Sequence, residues 1–251
     1  FKRLHVRSVA KILGRGGTIL KSARCQDFFE VEGRKRAHVH LVEAGIDGLV
    51  VIGGNGTFTG AFKFGQETGF PVVGVPGTID NDLSGSDCTI GFDTAINTVV
   101  DAVDKIRDTA DSHNRLFFVE VMGRDSGFIA LKSGIATGAV AVMTPEMNMS
   151  IEDLVAVLEA GEQSNKTSSI VLVAEGDTNG GAFEIAKKVQ ALTNRYETRI
   201  TVLGHLQRGG SPSCFDRVLA SRLGVAAVEA LRTGHNDVMA GILNDKISLT
   251  P

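Results

Sequence analysis

Short apolar runs alternate with segments of helical periodicity along most of this chain. Leu49-Val50-Val51-Ile52, Pro71-Val72-Val73-Gly74-Val75 and residues 116–122, 169–174 and 198–203 read as strands. Runs that are apolar on both faces, entering glycine turns, are the pattern of buried parallel strands. Between them, residues 94–107 place Ile96, Val99, Val100, Val103 and Ile106 at helical spacing, with Asp93 as the expected N-cap. Ser150-Ile151-Glu152-Asp153 resembles a capping box with Asp in place of the usual Glu, and predicts a helix to about Glu162. A helix is also expected directly after Phe1-Lys2-Arg3, and a small-residue helix after the Gly123-Arg124-Asp125-Ser126-Gly127 turn. The alternation predicts an α/β fold with one mostly parallel sheet, or two.

Polar residues fall at telling places in this pattern. Asn55, Asp80, Arg124, Glu175 and His205 each stand just after an apolar strand. In open α/β sheets, ligands bind at the carboxyl ends of strands, so five such placements point to one cleft. The richest of these exits is Pro76-Gly77-Thr78-Ile79-Asp80-Asn81-Asp82. By itself it is equally a loop made of turn formers. Two neighbouring carboxylates repel, and one of such a pair commonly holds a metal or accepts a proton. A hydroxyl, a base and a second acid beside a glycine turn suit phosphoryl transfer, where positioning and charge neutralisation dominate.

Composition narrows the field. A length of 251 residues allows one large domain or two smaller ones. Thirty glycines exceed the roughly 7% norm and fit many tight turns between strands and helices. With a net charge of −3, no Trp and one Tyr, nothing supports a nucleic-acid surface. Cys25, Cys88 and Cys214 are odd in number and far apart, which supports neither a zinc site nor a disulfide framework. A reducing, cytoplasmic setting is therefore expected. No apolar run approaches the roughly 18 residues of a membrane span, and no signal-peptide pattern opens the chain. The chain opens in mid-stride and closes at Thr250-Pro251 soon after an apparent strand, so it is expected to be a piece of a longer protein.

Four blocks carry a family resemblance: Gly53-Gly54-Asn55-Gly56-Thr57, residues 76–82, Met122-Gly123-Arg124 and Gly204-His205-Leu206-Gln207-Arg208-Gly209-Gly210. In order and spacing they resemble the signature blocks of bacterial-type, ATP-dependent 6-phosphofructokinases over essentially the whole chain. The resemblance implies two doubly wound, Rossmann-like α/β domains with the active site in the cleft between them, in a homotetramer. Residues 1–91 and 204–251 would form the ATP-binding domain, and residues 92–203 the fructose-6-phosphate-binding domain. The missing pieces would be an amino-terminal strand with its glycine loop and a carboxyl-terminal segment.

Roles follow from the same resemblance. Asp80 would be the base that takes the proton of the sugar 1-hydroxyl, Thr78 would contact the transferred phosphoryl group, and Arg124 would stabilise its charge. Asp82 and Asn55 would belong to the magnesium network, with Asn55 standing where the family normally has an aspartate. The glycine turn is not a Walker loop, because no Gly-Lys-Ser/Thr follows. Gly54, Asn55, Gly56, Thr57, Gly60 and the more distant Arg24 would meet the nucleotide. Met122, Gly123, Glu175, His205 and Arg208 would hold the sugar phosphate, joined by Arg115 and Arg199 from a neighbouring subunit. Gly56 and Gly77 stand where pyrophosphate-dependent members carry aspartate and lysine, so ATP is the expected donor. The alternatives are a pyrophosphate-dependent enzyme or a catalytically impaired sugar-phosphate-binding subunit, to which Asn55 lends support. Arg107 and Lys166 resemble parts of an effector site for ADP or phosphoenolpyruvate. Val140 and Ser164 depart from that pattern, so effector control is expected to be altered or absent.

Overall fold

The computed structural model describes residues 1–110, 115–163 and 169–251. Ser164 and Lys166 lie outside the described residues. The chain divides into two compact units: Phe1–Thr78 with Asp82–Gly91 and Ser211–Pro251, and Ile79–Asn81 with Phe92–Gly210.

In the first unit the order is α1 (Val31–Glu43), β1 (Leu49–Gly53), α2 (Asn55–Thr68) and β2 (Val72–Pro76), then α7 (Cys214–Arg232), β7 (Val238–Leu243) and β8 (Lys246–Thr250). The sheet runs β1-β2-β7-β8, parallel except for the β7–β8 hairpin. Successive side chains of a strand face opposite ways. Thus Val73 and Val75 pack with Leu219, Leu223 and Ala227 of α7, while Val72 packs with Leu41 of α1 and Phe64 of α2. Arg34, buried at 4% exposure, fixes the preceding chain to this layer. Its guanidinium grips both Glu67 oxygens, at 2.7 and 2.6 Å, and donates to the carbonyls of Phe28 and Phe29 at 2.8 Å each.

The second unit contains α3 (Phe92–Ala110), β3 (Arg115–Val121), α4 (Phe128–Thr137), β4 (Ala141–Met143), α5 (Ile151–Gln163), β5 (Ser169–Ala174), α6 (Ala182–Leu192) and β6 (Glu197–Val202). Its sheet, β4-β5-β3-β6, is wholly parallel. Phe117, Val119 and Val121 of β3 join Ile170, Leu172 and Ala174 of β5 beneath α3 and α4. Leu116 and Phe118, with Val171 and Val173, meet α5 and α6 on the other face. This is the two-sided burial that apolar strand runs predict.

Three local expectations are corrected. No helix follows Phe1-Lys2-Arg3: Val6–Val9 make one 3-10 turn, and α1 starts only at Val31. Residues 1–10 are all exposed, so no buried face offsets the cost of helix nucleation. Asp93 is not the N-cap of α3 but sits in its first turn, where its charge still meets the positive end of the dipole. At α5, Ser150 Oγ accepts from the Asp153 amide at 3.0 Å as expected. The Asp153 carboxylate reaches only the Ser150 hydroxyl, at 2.7 Å, since it is a methylene shorter than Glu. The second unit runs on through Gly210, and the 3-10 turn Gly204–Arg208 packs on α3 and β3.

The Arg34 guanidinium, hydrogen-bonded to Glu67, holds that carboxyl below its usual value of 4.5. A depressed carboxyl contributes stability above the unfolded-state value, and that contribution is lost as pH falls through the folded one. Glu67→Gln should therefore lower the thermal midpoint at neutral pH. The gap to the parent protein should close as the pH is taken well below 4.5. A gap that stays constant across the pH series would contradict the assignment.

Candidate active site

In the first unit, β1 and β2 end side by side, with Gly53 in register with Pro76. Gly54 is the N-cap of α2, so the amides of Asn55, Gly56 and Thr57 form the open first turn of a helix. Such a turn presents unpaired N–H groups and the positive end of the dipole to an anion. A Cβ at Gly56 would meet nothing within 4 Å, whereas one at Gly53 would lie 2.2 Å from Thr57 Oγ1. Gly60 stands further along α2 and faces the Phe28 ring, and Gly77 is packed against Ile52. Space therefore lies open at Gly56, while Gly77 answers to packing. Thr78 is half-buried, and its carbonyl accepts from the Thr89 hydroxyl at 2.7 Å. Arg24 lies exposed on irregular chain before the 3-10 turn Gln26–Phe29.

Asn55 Nδ2 donates to Asp82 Oδ2 at 2.7 Å, on the exposed surface. Among the described residues, no three His, Cys, Asp or Glu gather as a metal site. Magnesium commonly takes one or two carboxylates and completes its shell with water and substrate phosphates. Asp82 fits that role, with the Asn55 oxygen as a further neutral donor; an all-protein magnesium cage does not fit.

In the second unit, Arg124, Glu175 and His205 follow β3, β5 and β6, at the carboxyl ends of neighbouring strands. Side chains from the other strand exits hold the turn after β3 in place. Met122 N donates to Gln207 Oε1 at 2.9 Å, and Gly123 N and Arg124 N donate to Glu175 Oε1 at 3.2 and 2.8 Å. Gly127 N, at the start of α4, donates to Glu146 Oε1 at 2.8 Å. Every strand of this sheet thus contributes to one turn, because Glu146 follows β4, Glu175 follows β5 and Gln207 follows β6. The turn needs this support. Arg124 has φ of 53°, a left-handed conformation costly for a residue with a Cβ, and Gly123 has φ of 150°. The β5 exit passes so close that a Cβ on Gly176 would lie 2.1 Å from the Arg124 carbonyl oxygen.

Asp80 packs in this unit at 6% exposure, and its carbonyl accepts from Ser126 Oγ at 3.2 Å. Asn81 beside it has φ of 53°. Gln207 is 1% exposed, and its Nε2 is buried with no hydrogen-bond partner among the described residues. Leaving such a donor unmade costs about 1–3 kcal/mol, against about 0.5–1.5 kcal/mol for the bond made by the other end of the amide. Arg124, Glu175, His205 and Arg208 are exposed, while Met122 and Gly123 are buried in the turn.

Arg115 and Arg199 are not brought to this end. Arg115 begins β3, about 20 Å of extended chain from Val121. It donates to Glu197 Oε2 at 3.2 Å, and Arg199 pairs with the same carboxylate. The Arg115 hydrogen bond holds Glu197 below its ordinary value. Arg107, the other effector-site candidate among the described residues, bonds the Thr137 carbonyl.

Sequence reasoning missed Glu146, Ser126 and Gln207 as parts of the site. Glu146 was open to the same rule as the others, a polar residue after an apolar run, but Ala141–Met143 is too short to register as a strand. Ser126 and Gln207 act through backbone groups, which residue type does not reveal.

A family model described as Phosphofructokinase matches residues 1–231. The chain belongs to the phosphofructokinase family. ATP-dependent 6-phosphofructokinase 2 of Bacteroides thetaiotaomicron is 53% identical over 250 residues, covering 100% of this chain and 77% of that protein. ATP-dependent 6-phosphofructokinase 1 of Thermus thermophilus is 56% identical over 248 residues, covering 99% of this phosphofructokinase chain and 77% of its own. The solved phosphofructokinase of Saccharomyces cerevisiae superposes with a TM-score of 0.92 at 35% identity. That match covers 100% of this chain, which spans 38% of the yeast one.

Asn55→Asp in this phosphofructokinase chain would set two carboxylates where an amide now bridges to one. Without divalent cations the variant should melt lower by about 2–4 °C, the scale of a 1 kcal/mol loss. Magnesium should recover that loss and shift the parent much less. Equal magnesium shifts for both proteins would count against Asp82 as the metal-facing carboxylate.

Proposed function

We propose that this chain is the greater part of an ATP-dependent 6-phosphofructokinase, which makes fructose 1,6-bisphosphate from fructose 6-phosphate in glycolysis. The observation that carries the reading is identity of 53% and 56%, over essentially the whole chain, to relatives named for that activity. The open helix start at Gly56 supports the nucleotide as donor.

The first unit takes the nucleotide. Amides at the start of α2, around Gly54, Asn55, Gly56 and Thr57, receive its phosphates, and Arg24 and Thr78 add polar contacts. Asp82, with Asn55, holds magnesium, which neutralises phosphate charge when bound. The second unit takes the sugar phosphate. His205 and Arg208 hold the 6-phosphate dianion beside Met122 and Gly123. Glu175 accepts a sugar hydroxyl through Oε2, since its Oε1 already serves the Gly123 and Arg124 amides.

In the reaction, the sugar 1-hydroxyl oxygen attacks the γ-phosphorus and the bond to the β–γ bridging oxygen breaks, releasing ADP. Asp80 takes the hydroxyl proton, and its burial keeps bulk water from competing for that role. Arg124 stabilises the charge on the transferring group, where a planar cation in a fixed turn needs no reorganisation. Arg115 and Arg199, held at the other end of the sheet, serve the site of a neighbouring subunit in a homotetramer. Cysteine usage points to the cytoplasm.

Asp80→Asn keeps the shape and removes the base. With MgATP and fructose 6-phosphate, kcat should fall by about 100- to 10,000-fold while KM for the sugar stays within a few-fold. Unchanged turnover would remove Asp80 from the role. Sugar-phosphate binding without turnover by the parent, using either ATP or pyrophosphate, would replace the enzyme reading with that of a regulatory subunit.

A further inference from the structure

Gln207 is the least solvent-accessible polar side chain at this end of the sheet, and its carboxamide divides sharply into a used and an unused half. Its oxygen takes the Met122 amide, one residue before the strained pair Gly123 and Arg124. Its nitrogen is buried without a partner. A leucine of nearly the same shape would remove the orphan Nε2 but leave the buried Met122 amide unbonded in its place, so it trades one orphan donor for another. Fold stability alone therefore gives little reason for an amide here. The use of the amide lies in what its oxygen holds together.

Gln207 lies in the 3-10 turn Gly204–Arg208, between His205 and Arg208. We propose that Gln207 is a positioning residue: its carboxamide oxygen locks the turn bearing Arg124 to the turn bearing His205 and Arg208. The inference rests on the kinase reading for the roles of those three side chains. A single hydrogen bond then sets the spacing between the groups that grip the 6-phosphate and the cation that meets the transferring phosphoryl group. Glu175 secures the same turn from the β5 side, so loss of Gln207 shifts the turn without freeing it. Small displacements of this kind cost rate steeply, because phosphoryl transfer depends on alignment.

The test compares Gln207→Leu, which keeps volume and loses the acceptor, with Gln207→Glu, which keeps an acceptor oxygen. Amide exchange comes first, without substrates. Gln207→Leu should speed exchange across residues 122–124 and leave β5 and α6 protected, whereas Gln207→Glu should stay close to the parent. Unchanged exchange in Gln207→Leu overturns the proposal whatever the activity. Kinetics come second. Gln207→Leu should lower kcat by about 10- to 100-fold, with the thermal midpoint nearly unchanged. Placed on Arg124→Ala, the same substitution should cost less than about threefold more, because the residue it acts through is gone. Equal losses with and without Arg124 would show a merely structural role and overturn the proposal. A parent chain without turnover would refute the kinase reading, while the exchange result would still decide whether Gln207 fixes the turn.

Discussion

A strand that ends in a tight turn leaves its backbone amides without partners, and how the chain satisfies them decides what the turn can carry. After β3 the acceptors are Gln207, Glu175 and Glu146, supplied from the exits of the other three strands of the same sheet. This permits Arg124 to adopt a left-handed backbone that an unsupported loop would relax, and so aims its side chain. The parallel register of β3 with β5 and β6 makes the arrangement possible, since Val121 faces Ala174 and Glu120 faces Val202. The strand ends arrive together, and the polar residues after them meet.

The first unit offers polar groups of another kind. There the groups on offer are the amides of a helix start, cleared of side-chain bulk at Gly56, rather than a clamped cation. A polar bridge from Asn55 to Asp82 couples the ends of β1 and β2 through a neutral amide. Two carboxylates in those places would need a cation between them, whereas an amide and a carboxylate hold each other without one.

Much of this was legible in the sequence for a simple physical reason. Parallel strands buried on both faces need unbroken apolar runs, so Leu49-Val50-Val51-Ile52 and residues 169–174 announced themselves. Polar residues after such runs sit at strand ends by construction, which is why Asn55, Asp80, Arg124, Glu175 and His205 could be picked out. What stayed hidden was the use of each polar group. Glu175 carries a residue type that fits sugar hydroxyls, yet one of its oxygens is spent on backbone amides. Gln207 looked like part of a motif, and only its hydrogen bond to Met122 shows what it holds. The helix expected after Phe1-Lys2-Arg3 failed because periodicity cannot supply a partner surface to bury against.

Hydrogen exchange of the chain with and without fructose 6-phosphate, in the absence of nucleotide, tests most directly whether the strand ends of the second unit form the sugar-phosphate site. The account predicts that residues 122–127 and the 3-10 turn Gly204–Arg208 slow together on binding, with the loop after β5. Protection confined to other parts of the chain, or no protection at saturating sugar phosphate, would contradict it.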